Sequence, residues 1–143
     1  MLWSMKTTLF RISTALLALA LVLGGVFDLL RAPAVAQNIA ALGYPAYLMS
    51  ILGFWKVLGA AAITAPGLPR LKEWAYAGVA LELTGAAASH AFAGDPAGKI
   101  LVPLVLLALA VLSWALRPAS RRMGELFDAP VAAAAQRPQP GVA

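Results

Sequence analysis

Five side chains stand where polar chemistry is costly to place: Asp28, Lys56, Glu82, Ser89 and His90. Each lies in or at the edge of a long apolar stretch, where an ionisable group at a helix centre costs about 2.5 to 3.5 kcal/mol on membrane-insertion scales. Lys56 and Glu82 are the sharpest pair. Lys56 lies about nine residues from the start of one apolar stretch at Tyr47, and Glu82 about eight from the start of the next at Trp74. Running in opposite directions, the two stretches bring both side chains to mid-depth, where opposite charges offset a desolvation that neither bears alone. Gly53, Gly59 and Ala60 surround Lys56, and Gly78, Gly85 and Ala86 surround Glu82. Such small residues let backbones approach and turn the charges toward protein rather than lipid. The pair could orient a carbonyl or hydroxyl at mid-depth, or it could serve only to specify which helices pack together.

Asp28, Ser89 and His90 form a second candidate group near the outer boundary. Asp28 lies ~26 Å along a helix beyond Arg11, at 1.5 Å per residue. His90 follows Glu82 in the outward direction at about 80° around the same helix, with Ser89 beside it. Histidine titrates near neutral pH, so His90 could connect a buried site to the outside or hydrogen-bond a carbonyl ligand. The alternative is that Asp28 and His90 only sit in the wet interface. One histidine and no cysteine make a protein-built metal centre unexpected, and exclude disulfides, thiol redox chemistry, iron–sulfur clusters and covalent haem. His90 and Met49 share a depth without any haem-binding motif around them.

The elements that must position these residues are membrane helices. The chain has 143 residues, 62% hydrophobic and 12% charged, and no single core of that size could hide so much apolar surface from water. Four stretches, Leu9 to Leu30, Tyr47 to Thr64, Trp74 to Phe92 and Ile100 to Leu116, each approach the ~20 residues that cross a bilayer. Turn chemistry separates them at Ala32-Pro33, Gly43-Tyr44-Pro45, Pro66-Gly67-Leu68-Pro69 and Gly94-Asp95-Pro96. Asp95 is expected to cap the last helix, with Pro96 in its first position. Between the first two stretches, Val35, Ile39 and Leu42 recur at helical spacing. They predict a short interfacial helix closed by Gly43, either a connector over the end of the bundle or a lid.

The fold expected is therefore an all-α membrane protein, a four-transmembrane-helix bundle over residues 1–118 with one short interfacial helix. A basic, then Ala/Pro-rich tail over 119–143 offers no periodic apolar face and is expected to be disordered. Lys6, Arg11, Arg70, Lys72, Arg117, Arg121 and Arg122 fall on one side, against Arg31 and Lys99 on the other. That asymmetry predicts cytoplasmic termini and assigns the net charge of +5 to topology rather than to nucleic-acid binding. Ala34-Val35-Ala36 has the look of a signal-peptide cleavage site, yet Asp28 and Arg31 interrupt the region that should be neutral, so the first stretch is read as retained. Trp3, Tyr44, Tyr47, Trp74, Tyr76 and Trp114 fall where interfacial aromatic belts lie. Trp55 at mid-span faces lipid or lines a site for a flat ligand. Ser113 is the only polar residue of the last span, which reads as a wall.

Leu42-Gly43-Tyr44-Pro45, Leu52-Gly53 with Lys56, Leu58-Gly59-Ala60, Pro66-Gly67 and Leu71 to Gly78 follow one another in a specific order. They continue into Glu82, Gly85-Ala86, Ser89-His90 and Gly94-Asp95-Pro96. Over Thr8 to Pro118 this resembles the DoxX-like family of small bacterial membrane proteins, many of which carry aspartate where Glu82 stands. The resemblance implies a four-helix protein of the bacterial inner membrane. Relatives include a subunit of a thiosulfate:quinone oxidoreductase and proteins linked to oxidative stress or quinone handling. The expectation is thus a binder of a small lipophilic molecule such as a quinone, in a redox-linked membrane system with a partner subunit. No self-sufficient catalytic motif or built-in cofactor is expected. The rival expectations are a non-catalytic scaffold or stabilising subunit and a small solute carrier; the inverted repeats and broken helices of carriers are not evident.

Overall fold

Apolar runs propagate as helices until a residue that can reverse the backbone stops them, and the computed structural model, which describes residues 2–118 and 121–122, follows that rule closely. Its helices are α1 (Leu2–Leu29), α2 (Pro33–Ala41), α3 (Tyr47–Thr64), α4 (Pro69–Phe92) and α5 (Ala97–Ala115), with no strand among the described residues. Apart from Arg121 and Arg122, the tail expected at 119–143 lies outside the described residues.

Three helix ends close in the same way. Gly43 and Gly94 adopt φ of 79° and 70°, and the amides of Tyr44 and Asp95 turn back onto the carbonyls of Ile39 and His90 at 3.1 and 3.0 Å. Glycine suits these positions because it has no Cβ to clash in the left-handed region. α1 closes likewise, with Arg31 at φ 50° in place of glycine. The start of α5 departs from expectation. Pro96, not Asp95, is the residue before its first turn, and no side chain caps it; Asp95 is drawn instead to His90 and Lys99.

The four long helices form a ring in which α1 packs on α3 and α5, and α4 on α5 and α3. Leu17 and Leu21 of α1, Ala60 and Ile63 of α3, Tyr76, Val79 and Leu83 of α4, and Ala110 of α5 make the core. Outside, large apolar side chains are bare: Phe92 is 94% exposed and Leu81 74%. So extensive an apolar surface marks a face for lipid or for another protein, and helix length and composition favour lipid. Ser4–Leu29, Tyr47–Thr64 and Ala97–Ala115 are long and apolar enough to cross a membrane. The fourth crossing expected at Trp74 to Phe92 is not among them. α4 has the length, 24 residues, but carries Lys72, Glu73, Glu82 and His90, which lower its hydropathy. Among the described residues every regular element is a helix, and these are the helices of a membrane protein.

Candidate functional site

α1 and α3 run antiparallel and touch at two glycines. A Cβ built on Gly53 would stand 2.7 Å from the carbonyl oxygen of Gly25, and one on Gly25 would stand 2.9 Å from the carbonyl oxygen of Gly53. No side chain fits there. Three residues beyond each glycine comes a charge, Asp28 after Gly25 and Lys56 after Gly53. The close approach lays the Lys56 stem along α1, where its Cδ and Nζ would meet a Cβ on Gly24 at 3.7 and 3.9 Å.

Lys56 Nζ donates to Asp28 Oδ2 at 2.7 Å and stands 3.1 Å from Glu82 Oε1, which α4 supplies. The Asp28 side chain is 5% exposed and those of Lys56 and Glu82 20%. One ammonium thus gathers carboxylates from the helices on either side of its own. The structure brings Lys56 and Glu82 together, and it adds Asp28 to them.

Glu82 also walls a groove of about 660 Å³ between α3 and α4, whose other lining includes Trp55, Gly59, Trp74 and Gly78. Trp55 is 62% exposed, so the indole both faces outward and borders the groove. The small residues around Glu82 act differently from expectation. Cβ atoms on Gly78 and Gly85 would meet nothing within 4 Å, and one on Gly59 only Val79 at 3.8 Å. On this face the glycines leave space instead of drawing backbones together, because α3 and α4 diverge where α1 and α3 converge.

The outer group of Asp28, Ser89 and His90 is distributed over three different partners. Asp28 is bound to Lys56. Ser89 donates to the Gly85 carbonyl at 2.8 Å and so accepts from the Tyr44 hydroxyl, also at 2.8 Å. His90 Nδ1 meets Asp95 Oδ2 at 2.7 Å, across the Gly94 turn. Lys99 donates to the other Asp95 oxygen at 2.9 Å and to Asn38 Oδ1 of α2 at 3.1 Å. Hydrogen bonds from His90 and then Lys99 hold the Asp95 carboxyl below its ordinary pKa. Through Asn38 and Tyr44, α2 and the turn after it are fastened to the end of the bundle.

At the other end lie residues whose roles the sequence reading missed. Lys72, counted there only as a topological charge, is fully buried. Its Nζ donates to the carbonyls of Ala62, at 2.8 Å, Ile63, at 3.2 Å, and Ala65. These are carbonyls at the end of α3 that lack an intrahelical donor. The signal was a lysine in the first turn after the Pro66-Gly67 reversal. Tyr76, read as an interfacial anchor, is 5% exposed and shares Ser113 with Thr14, each at 2.7 Å. Ser113 therefore ties three helices where a plain wall was expected. Arg117 lies over the Tyr76 ring, 5.0 Å from its centroid, and donates to Glu73 Oε1 at 2.8 Å. No three His, Cys, Asp or Glu residues among those described are placed to hold a metal ion.

Among known proteins, a family model described as the DoxX-like family matches residues 12–113. No curated protein and no solved structure matches the chain.

Proposed function

The chain belongs to the DoxX-like family, and from that premise we propose that it is a four-crossing inner-membrane protein that binds a small lipophilic molecule with a polar head, such as a quinone, between α3 and α4. The observation that carries this reading is the groove of about 660 Å³ with Glu82 in its wall. Its size suits a small ligand, and apolar lining with few polar groups is the usual make-up of such sites. Glu82, with Lys56 behind it and outside the lining, would orient a carbonyl or hydroxyl, while Trp55 and Trp74 would offer aromatic walls to a flat ring. None of these side chains supplies electrons, so any redox step would belong to the ligand and to a partner subunit.

Four crossings follow if α3 and α5 both span, because α4 joins the end of one to the start of the other through short turns. The excess of Lys and Arg beside the α3–α4 turn and after α5 supports cytoplasmic termini. A second reading, a stabilising or scaffold subunit, draws on the glycine contact of α1 with α3, beside which Asp28, Lys56 and Glu82 tie three helices.

Native mass spectrometry of the protein extracted in its own lipid separates the two. Gly78→Leu should fill the groove without disturbing the fold, since its Cβ enters open space. A small lipophilic molecule retained by the wild type and lost from this variant is the expected result. Retention by both proteins, or a co-purifying subunit with no small molecule in either, overturns the groove and favours the scaffold.

A further inference from the structure

With all three ionised, Asp28, Lys56 and Glu82 sum to one negative charge, in helices whose outer faces are apolar. α2 carries no charged residue, and the single one of α5, Lys99, is bound at Asp95. Arg31, three residues beyond Asp28, is exposed, and among the described residues no other side chain forms an ion pair with any of the three. An unbalanced charge at such a depth is expensive.

The geometry sharpens the conflict. Both carboxylates contact the same Nζ, so their bonded oxygens are no farther apart than the two bonds laid end to end. Two carboxylates around one ammonium repel each other, and the single cation neutralises only one of them. A neutral cluster that keeps its ion pair therefore has a charged lysine, one carboxylate and one carboxylic acid. The proton falls to Glu82, because Lys56 donates its hydrogen bond to Asp28 at 2.7 Å and stands farther from Glu82, at 3.1 Å. Glu82 is also the member that borders the groove.

We infer that the cluster binds one proton, that this proton resides on Glu82, and that Glu82 presents an O–H donor to the groove. The inference rests on the groove being the ligand site and names its ligand class, lipophilic molecules with an acceptor oxygen such as a carbonyl. A ligand bearing a carboxylate would meet no free cation there, because Lys56 is already engaged by Asp28.

Infrared spectroscopy of the full chain in lipid nanodiscs at neutral pH reads the proton directly, as the carbonyl stretch of a protonated carboxyl group. Labelling the wild type with carbon-13 glutamate should move that band to lower frequency, and labelling with carbon-13 aspartate should leave it in place. Glu82→Gln should abolish it. Asp28→Asn should abolish it too, although Glu82 remains, because Glu82 then becomes the sole counter-ion of Lys56. Absence of the band in the wild type, its movement with labelled aspartate, or its survival in Glu82→Gln overturns the inference. The labelled wild type decides the matter even if Asp28→Asn does not fold. A short-tailed alkyl benzoquinone added to the same sample should then shift the band. An unmoved band overturns the groove as the ligand site and leaves the proton in place.

Discussion

Replacing Gly53 with alanine tests the contact on which the charge cluster depends. The new Cβ would lie 2.7 Å from the Gly25 carbonyl oxygen, 2.8 Å from Leu29 Cγ and 3.0 Å from Asp28 Cβ, where ordinary contacts begin at 3.4 Å. Two of these neighbours belong to the α1 backbone or branch directly from it, so rotamer changes cannot absorb the clash. α1 and α3 must separate by about 0.7 Å, a gap that forfeits a quarter to a half of each dispersion contact along the seam. The same movement would lengthen the 2.7 Å bond from Lys56 to Asp28 past the ~3.2 Å limit of good N–H···O geometry. Overpacking of this kind costs about 1 to 3 kcal/mol, against which alanine recovers up to about 1 kcal/mol of helix propensity. Gly85→Ala is the control, because its Cβ meets nothing within 4 Å and only the favourable part remains. Denaturant unfolding of both variants in the same micelles should place Gly53→Ala about 1 to 3 kcal/mol below Gly85→Ala. Equal stabilities would mean that α1 and α3 do not meet at Gly25 and Gly53, and the route that brings Lys56 to Asp28 would be wrong.

Lys56→Met leaves two carboxyl groups without their cation and should lose about 3 to 5 kcal/mol in unfolding measurements, much of it restored by Asp28→Asn in the same chain. Glu82→Gln alone should cost less than about 1 kcal/mol, since an amide replaces a neutral acid of similar shape. Lys72→Met strips the donor from the carbonyls of Ala62, Ile63 and Ala65 and should cost about 1 to 3 kcal/mol, with faster amide exchange confined to the end of α3. The bonds that hold the Asp95 carboxyl below its ordinary value of 3.8 contribute stability that is complete above that value and is lost as pH falls through the lower folded-state value. A spin label on Gly98→Cys, unique in a chain without cysteine, should therefore be less mobile at neutral pH than in strong acid; Asp95→Asn should give the looser state throughout. Reporter fusions after Arg122 and at Gly94 should lie on opposite sides of the membrane; both on one side would reject four crossings.

Much of the scaffold was legible because lipid imposes one simple demand, an unbroken apolar helix. The stretch read from Tyr47 to Thr64 is the helix observed, with the same bounds. α1 begins at Leu2 rather than Leu9 because nothing near Lys6 breaks a helix, and α4 begins at Pro69, five residues before the apolar run at Trp74. Lys56 and Glu82 were legible together because depth and sign agreed. Asp28 was assigned by the depth of its backbone, which ignores the reach of a lysine stem lying in a slot between glycines. The matched spacings Gly25-x-x-Asp28 and Gly53-x-x-Lys56 carried that signal. Asp95 was claimed for the wrong helix. Its position before Pro96 suits a cap, but the Gly94 turn faces it back toward His90 at a distance no local pattern encodes.

The charged residues of the cluster lie in the chain as acid, base, acid, on α1, α3 and α4 in turn. Synthesis runs from the N-terminus, so the base arrives to find an acid already in place. α3 delivers Lys56 to a bilayer that holds Asp28, and the glycine seam can lock the two into a neutral hairpin before α4 emerges. Glu82 then arrives last, to a lysine whose charge is already matched. The reverse order of the first two would change nothing, but two acids before the base would leave the nascent chain carrying paired negative charges with no relief. Arrangement along the sequence thus keeps the excess of the cluster at no more than one charge as the chain grows.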